Sequence, residues 1–194
     1  MKSLLIPILL IPTIALAIKL PFFPAEVLEK PSPTALTGEG RCRVAVDPMR
    51  FDQETKWGGM SDDEFKATLP DRAAESHEMD KTETAAMFLK QLEVNEKDYL
   101  KKRGLVTAGR TGKELFVVDP HVSEVHPKNG DMTVVYTVKT LSGEPVTRFR
   151  VKVEAAAGYG LGQRLRAASA GQAWSLLQFF ADRFACEGPP KVVD

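Results

Sequence analysis

Apolar and polar positions along this chain change their period twice, and the changes divide it into recognisable stretches. Residues 4–18 are a nearly continuous apolar run. One lysine, Lys2, precedes it, and small residues close it at Ala15 and Ala17. From about residue 61 the apolar positions recur near helical spacing. Ser61, Asp62, Asp63 and Glu64 form a capping box, with Met60 and Phe65 at the staple positions, and Pro70 stops that short helix. Asp80, Lys81, Thr82 and Glu83 repeat the cap pattern and predict the start of a longer helix. Ala85, Phe88, Leu89, Leu92, Tyr99 and Leu100 lie along one side of it, and Gly104 ends it. Asn95 is where it would divide.

Beyond residue 115 the period becomes two. Residues 115–118 and 122–126 read as short strands separated by Asp119 and Pro120, where proline forces an edge or a bulge. A turn at Lys128, Asn129, Gly130 and Asp131 leads to strands over 132–140 and 146–154, joined by Ser142 and Gly143. In the last strand Phe149, Val151 and Val153 alternate with Arg148, Arg150 and Lys152, so one face is buried and the other wet. Ala170, Ala173, Trp174, Leu177, Phe180, Ala181 and Phe184 then predict a buried final helix, widened by Leu176 and Phe179 and stopped by Gly188 and two prolines. The expected fold is α+β: N-terminal helices, an antiparallel meander of about four strands, and a long C-terminal helix packed on it.

The first stretch sets the compartment. A short positive end, an apolar middle and a small-residue site fit a secretory signal cleaved after Ala17. The alternative is an uncleaved anchor to about residue 23, which needs Lys19 to reach the headgroups, because a spanning helix takes about 20 apolar residues. Either way the rest is exported, periplasmic or secreted, with membrane contact through residues 3–23 in the anchored case. The boundaries expected are signal 1–17, a Pro-rich tether 18–40, one domain 41–188 and a tail 189–194.

Composition excludes some partners. The chain has 194 residues with 26 basic and 26 acidic side chains, so it lacks the basic surplus that nucleic acid demands. Its two cysteines, Cys42 and Cys186, stand near the two ends of the domain. In an oxidising compartment such a pair is expected to join as a disulfide. They are too far apart in sequence for a zinc site built on close pairs.

Candidate chemistry mostly dissolves in context. Residues 104–111 have phosphate-loop spacing with Arg110 in the lysine position, yet they follow a helix and lead to a strand, the reverse of what such a loop requires. Gly158, Gly160 and Gly162 precede a helix, but Gln163 replaces the third glycine of a dinucleotide fingerprint. Ser169 lies in a small-residue run without the later histidine that a nucleophile elbow needs. His121, Glu124 and His126 are the weak candidates for a metal. On a regular strand His121 points away from the other two. Lys139, Arg148, Arg150 and Lys152 would cluster on the wet face of the sheet as a basic surface for a partner.

No cofactor, metal or catalytic set emerges. The expectation is an exported non-enzymatic accessory protein, binding or assembling with a protein partner in an envelope or membrane complex. Two alternatives stand beside it. One is an exported hydrolase with a site scattered in sequence, using His121, His126 or acids near Asp62. The other is a membrane-anchored subunit of a membrane protein complex.

Overall fold

The alternation of residues 116–153 becomes an antiparallel meander at the centre of a larger sheet. The computed structural model describes residues 23–31, 42–95, 106–107, 115–155 and 160–184. In chain order the first elements are β1 (Ala25–Glu29), β2 (Arg43–Val46), β3 (Lys56–Trp57), α1 (Asp62–Ala67) and α2 (Asp71–Asn95). Then follow β4 (Val106–Thr107), β5 (Phe116–Val125), β6 (Met132–Thr140), β7 (Pro145–Val153) and α3 (Leu161–Arg183). The class is α+β, as the patterning predicts.

The sheet is larger than the expected meander and of mixed direction. Its order is β1-β7-β6-β5-β2-β4, with β3 also paired to β5. β5, β6 and β7 are antiparallel neighbours, and β1 adds antiparallel to β7. β2 and β3 instead run parallel to β5, and β4 runs parallel to β2. Parallel neighbours need a long crossover, and α1 and α2 supply it between β3 and β5.

Three local expectations are corrected. Residues 25–29, within the stretch read as a tether, form β1, because Phe23, Ala25 and Val27 alternate onto the core while Glu26 and Leu28 face out. The flanking prolines hide so short an alternation. Residues 116–125 form one strand through Pro120 rather than two. The Pro120 carbonyl accepts from the Arg50 amide, so its missing N–H faces the segment after β2, whose amides reach β5 at Asp47, on the Val118 carbonyl, and next at Arg50. Third, α2 begins straight after Pro70, whose carbonyl accepts from Ala73 and Ala74, and runs through Asp80 without a break. The Asp80 cap pattern therefore marks no helix start.

α1 follows its capping box as read: Ser61 and Glu64 exchange both bonds. α3 buries Leu165, Ala168, Ala173, Leu176, Leu177, Phe179 and Phe180, a stripe wide enough to cover the sheet and meet α2. Aromatic rings fill the space between. Tyr136 stacks on Phe149 at 4.9 Å and Phe149 on Phe179 at 3.6 Å, while Phe184 meets Phe116 edge-on at 5.8 Å.

Two glycines are demanded by geometry. Gly130 has φ +78° in the β5–β6 turn and presses on Arg164 of α3. At Gly162 a Cβ would collide with the Asp80 carboxylate. That contact is how α2 and α3 approach closely, and it places an acid at the N-terminal end of α3, where no side chain caps Gly160.

The apolar leader (residues 1–22), the later part of the expected tether (32–40), Arg41, the later half of the longer predicted helix (96–104) and residues 185–194 with Cys186 lie outside the described residues. Among the described residues no helix is long and apolar enough to cross a membrane.

Candidate functional site

α2 and α3 cover one face of the sheet; on the other, Glu26, Arg148, Arg150 and Lys152 are exposed while the apolar Ala45, Val117 and Val135 are buried. The register sets their rows. Glu26 lies opposite Arg150, Arg150 opposite Val135, and Val135 opposite His121. In the next row Glu29 meets Arg148, which meets Thr137, which meets Asp119.

The expected basic surface is thereby a surface of ion pairs. Arg150 forks onto Glu26 at 2.7 and 3.0 Å. Glu26 pushes the guanidinium pKa further up from its already high value. Arg148 lies 3.9 Å from Glu29. Lys139 donates to Asp119 at 2.9 Å. Only Lys152 among the four faces outward beside a neutral neighbour, Thr133. The carboxylates come from β1 and β5, distant in sequence, so the alternation of β7 alone gave no sign of them.

At the β5 end of this face the segment after β2 contributes further charge. Arg50 donates to both Asp119 oxygens at 3.0 and 3.1 Å and lies 3.5 Å from Asp52. Burial alone would raise the Asp119 pKa; hydrogen bonds from Lys139 and Arg50 and their charges outweigh it and hold the carboxyl below its usual range. Asp52 opens a tight turn. Its amide donates to Thr55 Oγ1, its Oδ1 accepts from the Glu54 amide, and the buried Thr55 hydroxyl donates to the Val122 carbonyl. That hydroxyl pins the turn to β5 beside His121, whose Nε2 lies 2.9 Å from Asp52 Oδ1.

The structure therefore regroups the weak metal candidates. His121 meets Asp52 and Glu54, not Glu124 and His126. The register slips between Val122 and Glu124, and both Glu124 and His126 are exposed, Glu124 across from Lys56 and His126 at the turn beyond the strand. Asp52 and Glu54 escape sequence reading because their meeting with His121 depends on how the turn docks on the strand.

Other candidates become structural. Asp62 is engaged with His77 and Lys81 of α2 at 2.8 and 2.9 Å. A cavity of about 470 Å³ beside His77 is lined by Arg72, Ser76, Asp80 and Leu161, but His77 commits its Nε2 to Asp62. Ser169 is buried and donates to the Arg166 carbonyl one turn back. Gly162, from the glycine-rich run, packs on Asp80, so the protein's own carboxylate occupies the helix end where an anion would bind. Val106 and Thr107, inside the phosphate-loop spacing, form β4. Cys42 is half-buried immediately before β2.

No protein-family model and no curated protein matches this chain. Solved structures that overlay on it loosely include two crystal forms of the PelC dodecamer from Paraburkholderia phytofirmans. A variant form gives a TM-score of 0.39 at 15% identity over 81% of this chain and 98% of that one. A second crystal form gives 0.38 at 16% identity over 78% and 96%. Overlap so slight carries nothing about what this chain does.

Proposed function

We propose that this chain is an exported, non-enzymatic accessory protein that binds a protein partner in the cell envelope or secretory compartment through the open face of its sheet. The observation that carries the reading is the pairing of charge on that face. Glu26 with Arg150, Glu29 with Arg148 and Asp119 with Arg50 and Lys139 leave alternating signs at fixed spacing on a rigid surface. Such a surface suits a partner of complementary mixed charge, not a polyanion. The apolar leader with its small-residue end supports export.

A charge swap tests the face without breaking the fold. Glu26→Arg combined with Arg150→Glu keeps the cross-strand pair but reverses its sign to a partner. Crosslinking of the full chain at native abundance, followed by mass spectrometry, is expected to capture a protein that the swapped chain loses at unchanged melting temperature. Equal capture by both chains sinks the reading. In the same sample the mass of the mature chain separates its two forms: a start at Ile18 or nearby removes the anchored alternative.

We also infer that Cys42 and Cys186 are joined. Phe184, two residues before Cys186, packs on Phe116, and Phe116 pairs in register with Val44, two residues after Cys42. A bridge closing so long a loop would add about 4–5 kcal/mol in the chain-entropy view. Thiol labelling of the exported protein under denaturing conditions is expected to find no free thiol; two free thiols end the inference.

A further inference from the structure

We propose that Asp52, Glu54 and His121 form a binding site for a zinc-like divalent transition-metal ion on the open face, where the turn after β2 docks beside β5. Each of the three offers one ligand atom, and those atoms all lie within 4.8 Å of one another. Two ligands about 2.0–2.2 Å from a zinc ion stand roughly 3.3–3.6 Å apart around a tetrahedron. His121 Nε2 and Asp52 Oδ1 are 2.9 Å apart as a hydrogen bond, so an ion would take the place of the proton between them and part them by a few tenths of an ångström. Glu54 closes on the pair by a side-chain rotation, since it is exposed.

The donor set selects the ion class. One imidazole and two carboxylates suit zinc and its first-row neighbours. Calcium would want six to eight oxygens, and magnesium prefers an all-oxygen shell with retained waters. Three protein ligands also leave a coordination position for water.

The surroundings are compatible with added positive charge. Three carboxylates, Asp52, Glu54 and Asp119, stand against the two fixed positive charges of Arg50 and Lys139. Arg50 approaches Asp52 through Oδ2, at 3.5 Å, while the atom facing His121 is Oδ1. The guanidinium can therefore hold the carboxylate in orientation from the side away from the ion, as outer-shell partners do. The turn itself is fixed by the buried Thr55 hydroxyl on the Val122 carbonyl, next in sequence to His121, so ligands from loop and strand are held together before any ion arrives.

The site does not depend on the protein-binding reading, and its test is separate. Calorimetric titration of the metal-free full-length protein with zinc chloride, in a non-chelating buffer, is expected to give a single-site isotherm and a rise in melting temperature. Both should be lost in His121→Ala and weakened in Glu54→Gln by more than the roughly 10–100-fold that an outer-shell change costs. His126→Ala is the control and should bind as wild type does. Because Glu54 is exposed, its variant folds and keeps the test open should His121→Ala prove unstable. No zinc binding by the wild type, or binding that survives both ligand substitutions, overturns the site. Calcium chloride binding as tightly as zinc overturns the ion class.

Discussion

Replacing Gln172 with leucine is expected to destabilise the protein by about 2–3 kcal/mol, which for a chain of this size is a fall of roughly 5–10 °C in melting temperature. Gln172 comes from the middle of α3 and is fully buried over the meander. Its Nε2 donates to the Met132 carbonyl of β6 at 2.8 Å and the Val151 carbonyl of β7 at 3.0 Å. Its Oε1 accepts from the Tyr136 hydroxyl at 2.9 Å. Burial pushes the Tyr136 phenol well above its ordinary pKa, so it remains a neutral donor, with the Gln172 backbone carbonyl at 3.4 Å as its only other acceptor. Leucine keeps most of the volume and removes all three side-chain bonds, leaving the buried hydroxyl that long backbone contact alone. Tyr136→Phe by itself should cost about 1–2 kcal/mol. In the double variant no hydroxyl is orphaned, so the combined loss should fall short of the sum by at least about 0.5 kcal/mol. Urea denaturation of the four proteins measures this cycle. A Gln172→Leu protein within about 1 kcal/mol of wild type, or strictly additive losses, removes the clamp from the account.

Gln172 also marks where sequence legibility ends. The apolar stripe of α3 and the alternation of β6 and β7 are properties of single elements, and a period of 3.6 or 2 states them directly. A polar residue inside such a stripe carries no sign of its partners. Gln172 lies between Ala168 and Leu176 as an interruption, and only the packed helix shows that its amide meets sheet carbonyls. Asp80 teaches the same lesson differently. With Glu83 it has the composition of a helix start, but the preceding turns already supply helical bonding partners, and its carboxylate lies instead against Gly162 at the start of α3, 3.4 Å from Arg166. A capping pattern identifies an acid suited to a helix end without saying whose end it is.

The charged face was legible in one half only. Periodicity correctly put Arg148, Arg150 and Lys152 on the wet side of β7. It had no access to Glu26 and Glu29, because a strand-edge pairing across more than a hundred residues leaves no local mark. What looked like a basic surface for an acidic partner is a neutralised one, which fits a protein partner of mixed charge better. The His121 cluster follows from the same cause: strand alternation ranks neighbours within β5, whereas Asp52 and Glu54 arrive from a turn docked beside it.

Removing the Asp62 carboxylate should have the largest charge effect in the molecule, and the effect should fade in acid. Asp62 stands in the first turn of α1 and is 17% exposed; His77 and Lys81, both from α2, are 2% and 12% exposed. His77 is wedged against Trp57 and Phe65, with ring centroids 4.4 and 5.3 Å away, and is almost wholly buried there. Asp62→Ala would leave the Lys81 ammonium and the buried imidazole without their acceptor. The expected cost at pH 7 is about 2–4 kcal/mol, towards the lower side of a broken buried pair because Lys81 keeps Glu78 at 2.9 Å. Burial by itself would raise the Asp62 pKa, but hydrogen bonds from His77 and Lys81, with their charge, outweigh it and hold the carboxyl below its usual value. A folded-state pKa depressed below the unfolded one, about 3.9, contributes its full stability above that pH and loses it as pH falls through the folded value. The gap between wild type and Asp62→Ala should therefore narrow below about pH 4. Urea midpoints of both proteins at neutral and acid pH measure it. A gap that stays constant into acid would show that the loss comes from packing alone and that the ion pair contributes nothing.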